Sequence, residues 1–417
     1  MERIVVKEAR MTQLELGDSA RELAREVLIH GPISRAELGR RLGLSPASLT
    51  RLSKPFLDRG LFVEAVEAVQ GATGRPARPL DVRVDAQWFI GIKVTGEAAY
   101  GALTDLRATA VAQASRELDG HDVDAVVDVI VGLVGELVGA AGSASAGPMD
   151  AAASAAASDV AGPTAPGDLS DLGGIGLSIG GNVTGQRVVT RAPFLGWRDV
   201  PLADLLEARL GVPVDLENDV TALTTAEQWF GPARAHDAFA VVTVGAGVGY
   251  GLVMHDRVVT TPDTGLGLGG HLPLDPSGPP CLDGHRGCST AMLAIPSICA
   301  QVGIALGREV GYDEVLELSA AGHPAARSVT DAAGRALGRM MGYIANLTMV
   351  ESIVLSGEGV GLWEVAGDTA LAALAADRDP EATPVEVFVD SAGFSSWARG
   401  AAAVAIQASL ARLRLPA

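Results

Sequence analysis

One histidine, two cysteines and an aspartate are spaced as H-x9-C-x-D-x4-C, which puts His271, Cys281, Asp283 and Cys288 in one short loop. Thiolate, imidazole and carboxylate ligands together suit a four-coordinate zinc, and His285 is near enough to stand in for the aspartate. A second group is the polar turn Glu217-Asn218-Asp219 after the strand pattern Val212 to Leu216, readable as a helix cap before Val220 to Phe230 or as a set of acceptors. A third is the glycine series Gly245, Gly247, Gly249 and Gly251. Alternate glycines in a hairpin let backbone amides approach an anion or a sugar, or mark a sterically tight turn. The fourth group is basic. Arg51 and Lys54, preceded by the small residues Ser45, Ala47 and Ser48, can reach base edges and phosphates from one helix face, or form an ordinary solvated face. Arg75 and Arg78 sit in a glycine-rich turn, from which the extended Gly74-Arg75-Pro76 can enter a narrow minor groove.

The basic residues need a scaffold, and the first 83 residues supply the pattern of one. Ser19 to His30 has Leu23, Val27 and Leu28 on one helical face and stops at Gly31-Pro32. Ser34 with Glu37 predicts a capping box opening Arg35 to Leu42, and Gly43 suits the left-handed position that ends it. Ser45-Pro46 opens a third helix, with a cap and a proline in the first turn. Leu38, Leu42, Leu44, Leu49 and Leu52 fall where two helices crossing at a tight turn share a core. A strand from Leu61, continued by Val66 to Val69, then leads to the basic turn 71–78, so the whole predicts a winged helix-turn-helix.

Charge separates this head from the rest. Residues 1–83 carry 14 Lys and Arg against 11 Asp and Glu, a balance of +3; with −18 on the whole chain, the remainder stands at −21. A polyanion therefore meets the head, since the body repels it. At 417 residues the chain is long enough for two or three domains; 48% apolar and 20% charged residues exclude wholesale disorder. Aromatics are only 4%, so the core is built from aliphatic residues. Three cysteines exclude a disulfide framework, and Cys299, in apolar Ile295 to Leu306, reads as a core residue. No apolar run approaches the roughly 20 residues of a membrane span, and the charged start is not that of a signal peptide, so a cytoplasmic protein without membrane contact is expected.

The body, residues 84–417, reads as α/β. Trp88 to Val94, Tyr100 to Leu106 and Thr109 to Ala114 are strand patterns, followed by a helix from Val123 to Val138. Residues 139–168 hold no aromatic or basic side chain and read as a flexible low-complexity insertion. Order resumes with the strand and glycine turn Gly174 to Gly181, the helix Leu202 to Leu210, and the hairpin Ala238 to Met254.

Taken together, Pro193-Phe194-Leu195-Gly196-Trp197, Glu217-Asn218-Asp219, the Gly245–Gly251 hairpin, and Gly270-His271 followed by Cys281 and Gly287-Cys288 resemble the ROK family of sugar kinases and sugar-responsive repressors. The Gly-Arg-Pro wing resembles the repressor branch. The resemblance implies an actin/hexokinase-like fold of two ribonuclease-H-like lobes, with helix Gly400 to Leu413 returning to the first lobe. It also implies a sugar or sugar-derived effector at Gly181, Asn218, Asp219, Gly247 and His271, and a structural zinc at His271, Cys281, Asp283 and Cys288.

The departures from that family are informative. Where its kinases have D-x-G-G-T this chain has Lys93-Val94-Thr95-Gly96-Glu97, and Glu358 interrupts a later glycine turn, so no nucleotide is expected to bind. Two glutamates of the family's sugar site are replaced by Leu268 and Thr290, which disfavours an ordinary hexose. A cysteine of its metal set is Asp283 here. The expectation is a non-enzymatic regulator, a repressor that reads a palindromic double-stranded operator as a homodimer or dimer of dimers. An active sugar kinase and a regulator answering only to a protein partner are the alternatives.

Overall fold

The computed structural model describes residues 13–15, 17–65, 78–144 and 166–416. Strand β1 (Gln13–Glu15) precedes three helices, α1 (Asp18–His30), α2 (Arg35–Leu42) and α3 (Pro46–Asp58), and the antiparallel pair β2 (Phe62–Glu64) and β3 (Leu80–Val82). Ser34 caps α2 by accepting the Glu37 amide at 3.1 Å. The expected capping box is only half formed, because the Glu37 carboxylate turns to Arg40 and Arg41 instead. Gly43 closes α2 at φ 63°, and Ser45 caps α3 by accepting the Ser48 amide at 3.2 Å. Leu38, Leu49 and Phe56 are buried between the helices, each worth about 1.5–3 kcal/mol, while Leu42, Leu44 and Leu52 pack at the margin. The expected continuation Val66 to Val69 and the tip Gly74-Arg75-Pro76 lie outside the described residues.

The body repeats one sheet topology twice. In the first lobe β4 (Trp88–Val94), β5 (Ala98–Thr104) and β6 (Ala110–Glu117) form an antiparallel meander. On the other side of β4, β7 (Leu172–Ile179) and β11 (Val214–Asn218) join in parallel. Helices α4 (Val123–Ala144) and α5 (Leu202–Leu210), and the small sheet of β8 (Asn182–Thr184), β9 (Val188–Ala192) and β10 (Trp197–Val200), complete this lobe. Its alanine-rich end carries α4 on to Ala144, past residue 139 where the insertion was expected to begin. The Asp168 carboxylate caps a short turn at Leu169–Asp171.

Helix α6 (Asp219–Phe230) leads to the second lobe, where β12 (Phe239–Val244), β13 (Val248–Met254) and β14 (Arg257–Val258) form the meander. After α7 (Ser289–Leu293), α8 (Ile295–Leu306), α9 (Tyr312–Ala320) and α10 (Pro324–Thr348), β15 (Ser352–Ser356) pairs in parallel with β12. Helix α11 (Leu362–Ala376) and strand β16 (Glu386–Val389), parallel to β15, finish the sheet. The duplicated meander plus two parallel strands is the expected two-lobed arrangement. The closing helix α12 (Phe394–Arg412) begins earlier than the expected Gly400, and β17 (Arg414–Pro416) pairs with β1.

Helices α6 and α12 occupy the layer between the sheets, and glycines let them approach closely. A side chain at Gly91 or Gly176 would collide with α12 backbone at Ala398 and Ala401, and one at Gly400 would meet α6 at Leu223. Gly249 and Gly251 of β13 face Val220 and Thr224 of α6 in the same way. Two of the four hairpin glycines are therefore explained by helix packing. They line no anion cradle.

Candidate functional site

The cleft between the lobes is built at the point where β11 runs into α6. Asn218 caps α6 by accepting the Thr221 amide at 3.1 Å and the Thr221 hydroxyl at 3.3 Å. Its own amide donates to the Gly181 carbonyl at 2.9 Å and to Asp219 Oδ1 at 3.1 Å. With both donors and its oxygen engaged and only 6% exposed, Asn218 is a capping residue with nothing left for a ligand. Gly181 supplies that carbonyl and holds the turn tight, since a side chain there would strike Arg191.

Asp219 has one oxygen on the Val220 amide at 2.9 Å and the other on Lys93 Nζ. Lys93 points from the end of β4, is buried, and lies 4.8 Å from the centre of the Trp397 ring. Both oxygens of Asp219 are therefore committed to partners within the protein. From the second lobe Glu358 lies against Gly245 in the hairpin turn. Burial pushes its carboxyl above the ordinary glutamate range, against the pull of Lys93. Gly247 is exposed with open space around it. At the lip Phe194 is 58% exposed and packs on Gly180 and Gly96, and Leu268 is 63% exposed. Phe194 and Trp397 are cleft residues that sequence reasoning passed over. Phe194 stood in a quoted motif, but nothing in its spacing distinguished an exposed ring from a core one.

The metal-ligand loop gathers as expected, with one exchange. His271 Nδ1 lies 3.7 Å from both Cys281 Sγ and Cys288 Sγ, and 3.2 Å from His285 Nδ1. The donor atoms of these four residues lie within 4.8 Å of one another, a set able to close around one tetrahedral cation. Asp283 is not in the set. Its carboxylate sits 3.1 Å from the other ring nitrogen, Nε2, of His271. That is the place of an outer carboxylate that fixes the tautomer and orientation of a ligating histidine. Because both nitrogens of His271 belong to this loop, the structure gives it no free atom for a sugar.

On the head, α3 presents Ser45, Ala47, Arg51 and Lys54 to solvent, with Ser48 half-buried and Thr50, which the sequence reading omitted, exposed between them. Arg78 is differently placed. Its guanidinium donates to Glu64 at 3.2 Å, the carboxylate that Arg35 also grips at 2.7 Å, so Arg78 braces the base of the wing. Arg75 lies outside the described residues.

A family model described as ROK family matches residues 163–408, more than half of the chain. The chain belongs to the ROK family. The DNA-binding transcriptional repressor Mlc of Escherichia coli is 25% identical over 336 residues, covering 78% of this chain and 77% of that protein. A glucokinase of Thermotoga maritima is 39% identical over 127 residues, 30% of this chain and 40% of that one. Among solved structures, a ROK family transcriptional regulator described as a homolog of the E. coli MLC protein aligns over 94% of this chain and 96% of its own. The TM-score is 0.74 at 22% identity, a likeness of fold. The winged helix-turn-helix and two-lobed body expected of a ROK regulator are both present. Among the described residues no helix is long and apolar enough to cross a membrane.

Proposed function

We propose that this ROK chain is a DNA-binding transcriptional repressor whose kinase-like body senses a sugar-related effector and transfers no phosphate. The observation that carries this reading is the Lys93–Asp219 ion pair. It engages a cleft carboxylate placed to meet a sugar hydroxyl, while Glu358 puts a carboxyl group into the hairpin turn where phosphates would need positive potential. The Mlc relative supports the repressor half, as do the exposed face of α3 and the positive head on a negative body.

The reading divides the chain into a head, residues 1–83, and a body, residues 84–417. Ser45, Ala47, Ser48, Arg51 and Lys54 meet the major groove, and Arg75 the flanking minor groove. One head contacts too few base pairs for genomic specificity, so two copies read a palindrome. In the body His271, Cys281, His285 and Cys288 hold a structural zinc, which when bound joins both ends of the 271–288 loop into one rigid unit. Asp283 orients His271, and Cys288, 1% exposed, anchors the loop to the start of α7. The effector site is the cleft around Asp219, Gly181 and Phe194, with Leu268 and Thr290 giving it fewer acceptors than a hexose demands.

The experiment is selection of duplexes from a random pool by the purified chain, alongside a coupled assay of ATP turnover with hexoses and amino sugars. Enrichment of a palindrome without turnover is the expected result. The glucokinase relative keeps the kinase reading in play, and turnover with any sugar would establish it. Enrichment with no thermal shift from any sugar would point to a protein partner in place of a small effector.

A further inference from the structure

The head touches the body on two sides, and the sides differ in kind. Towards the first lobe the contact is a buried apolar cluster with one arginine at its edge. Leu23, Val27 and Leu28 of α1 share a buried cluster with Phe89, Trp229 and Ile406. Arg107, in the turn between β5 and β6, also donates to the Gly31 carbonyl at 2.8 Å and pairs with Asp81. Towards the second lobe the contact is polar and falls on the tip of the β13–β14 hairpin. Arg25 of α1 donates to Asp256 Oδ2 at 2.9 Å and to the Asp256 carbonyl at 3.4 Å. From α6, the buried Gln228 donates to that same carbonyl at 2.5 Å.

Asp256 is thus gripped at once by the head and by the interlobe helix, while belonging to the second lobe. The tip is held in a defined shape. His255 and Asp256 are both left-handed, at φ 52° and 59°, the paired values of a two-residue hairpin turn, and the Asp256 amide donates to the Asp237 carbonyl at 2.9 Å. Helix α6 has Asp219 at its other end, 12 residues or about 18 Å along one rigid rod. A displacement of the second lobe against α6 by an ångström or two is enough to break hydrogen bonds of this length.

Resting on the repressor reading above, we infer that Asp256 is a positioning residue for the DNA-binding head: it ties the attitude of α1, and with it α3, to the position of the second lobe. The apolar contact keeps the head on the body, and the polar junction sets its angle. A cleft ligand that moves the second lobe therefore changes how the head is presented to DNA.

The test is a double-mutant cycle on the full-length chain, with a fluorescent duplex selected by the wild type. Asp256→Gly removes the side chain at a backbone angle glycine adopts freely, so folding is retained, and Arg25→Met removes the other half of the junction. Each single change is expected to weaken binding about fivefold, with the double variant no weaker than either single one, and Asp256→Asn is expected to retain most of the affinity. Independent, multiplying losses, or no loss from Asp256→Gly, would overturn the inference. If the wild type selects no duplex, the repressor reading fails instead, and hydrogen exchange in α1 tests the junction alone. Faster exchange at residues 21–29 in Asp256→Gly is expected, and unchanged protection would overturn it.

Discussion

The cleft and the metal loop hold comparable sets of reactive side chains in opposite states of satisfaction. In the cleft every strong group has an internal partner: Asn218 caps a helix, Asp219 accepts from Lys93, and Lys93 lies beside the Trp397 ring. In the loop four donors converge, and His271 Nδ1 alone faces both sulfurs at 3.7 Å and His285 Nδ1 at 3.2 Å, although one ring nitrogen makes a single hydrogen bond. Satisfied groups define a structure, and convergent unsatisfied ones define a place for something else. Equal richness in motif residues therefore carries different meaning in the two regions.

The largest effect that could break this contrast is removal of metal from the loop. Chelation is expected to lower stability by about 4 kcal/mol if zinc is normally present at a thousandfold excess over its dissociation constant. Calorimetry with and without chelator, together with elemental analysis of the purified chain, measures it. A chain that purifies with no zinc and melts at the same temperature either way would place the loop in the same class as the cleft. His285→Ala should reproduce the loss, whereas Asp283→Asn should weaken metal affinity by about 10- to 100-fold without abolishing it.

In the cleft, Lys93→Ala is expected to cost about 3 kcal/mol, because it leaves Asp219 a largely buried anion without its cation. Adding Asp219→Asn should recover most of that, as seen in urea unfolding. No recovery would mean that the pair is incidental and that Lys93 matters through its packing on Trp397.

Next in size is an exception within the satisfied region. Glu227 on α6 is 1% exposed, one of its carboxylate oxygens has no partner, and burial pushes its pKa up to about 7. The folded value lies above the unfolded one of 4.5, so the native state holds this proton more tightly. Stability from this group is then full below about pH 4.5, falls as pH rises to about 7, and is flat beyond. The loss is on the order of 3 kcal/mol. Glu227→Gln should remove that slope in unfolding measured from pH 5 to 8; an unchanged slope would show that another group titrates. His30 works the opposite way. Burial lowers its pKa to about 4, so its contribution is lost as pH falls below the ordinary value of 6.5.

Much of the fold was legible because its signals are local. Ser34, Gly43 and Ser45-Pro46 marked the helix ends of the head, and Leu202 to Leu210 and Ile295 to Leu306 were bounded by the glycines that stop them. The site was less legible because its meaning depends on distant partners. Lys93 and Asp219 are 126 residues apart, so sequence showed a misplaced lysine at one place and a ligand acceptor at the other, and could not show that they pair. The exchange of Asp283 for His285 has the same origin. Spacing put both near the cysteines, and only the loop's path decides which faces inward. The glycines of β13 stayed ambiguous in the sequence because the constraint on them comes from α6, an element outside the hairpin.

The smallest expected effect carries the same contrast into the head. Arg51 stands exposed on α3 with no ion pair among the described residues, whereas Arg78 is held by Glu64. An arginine already paired must give up that carboxylate before it can grip a phosphate, and its net gain on DNA is correspondingly small. Arg51→Ala is therefore expected to weaken binding to a selected duplex by about 1–3 kcal/mol and to relax selectivity at one position. Arg78→Ala should cost less than about 1 kcal/mol, evenly across sequences. Fluorescence anisotropy at one fixed salt concentration, with matched and scrambled duplexes, separates the two. Equal and sequence-independent losses would mean that α3 touches only the backbone, and that base reading lies elsewhere in the head.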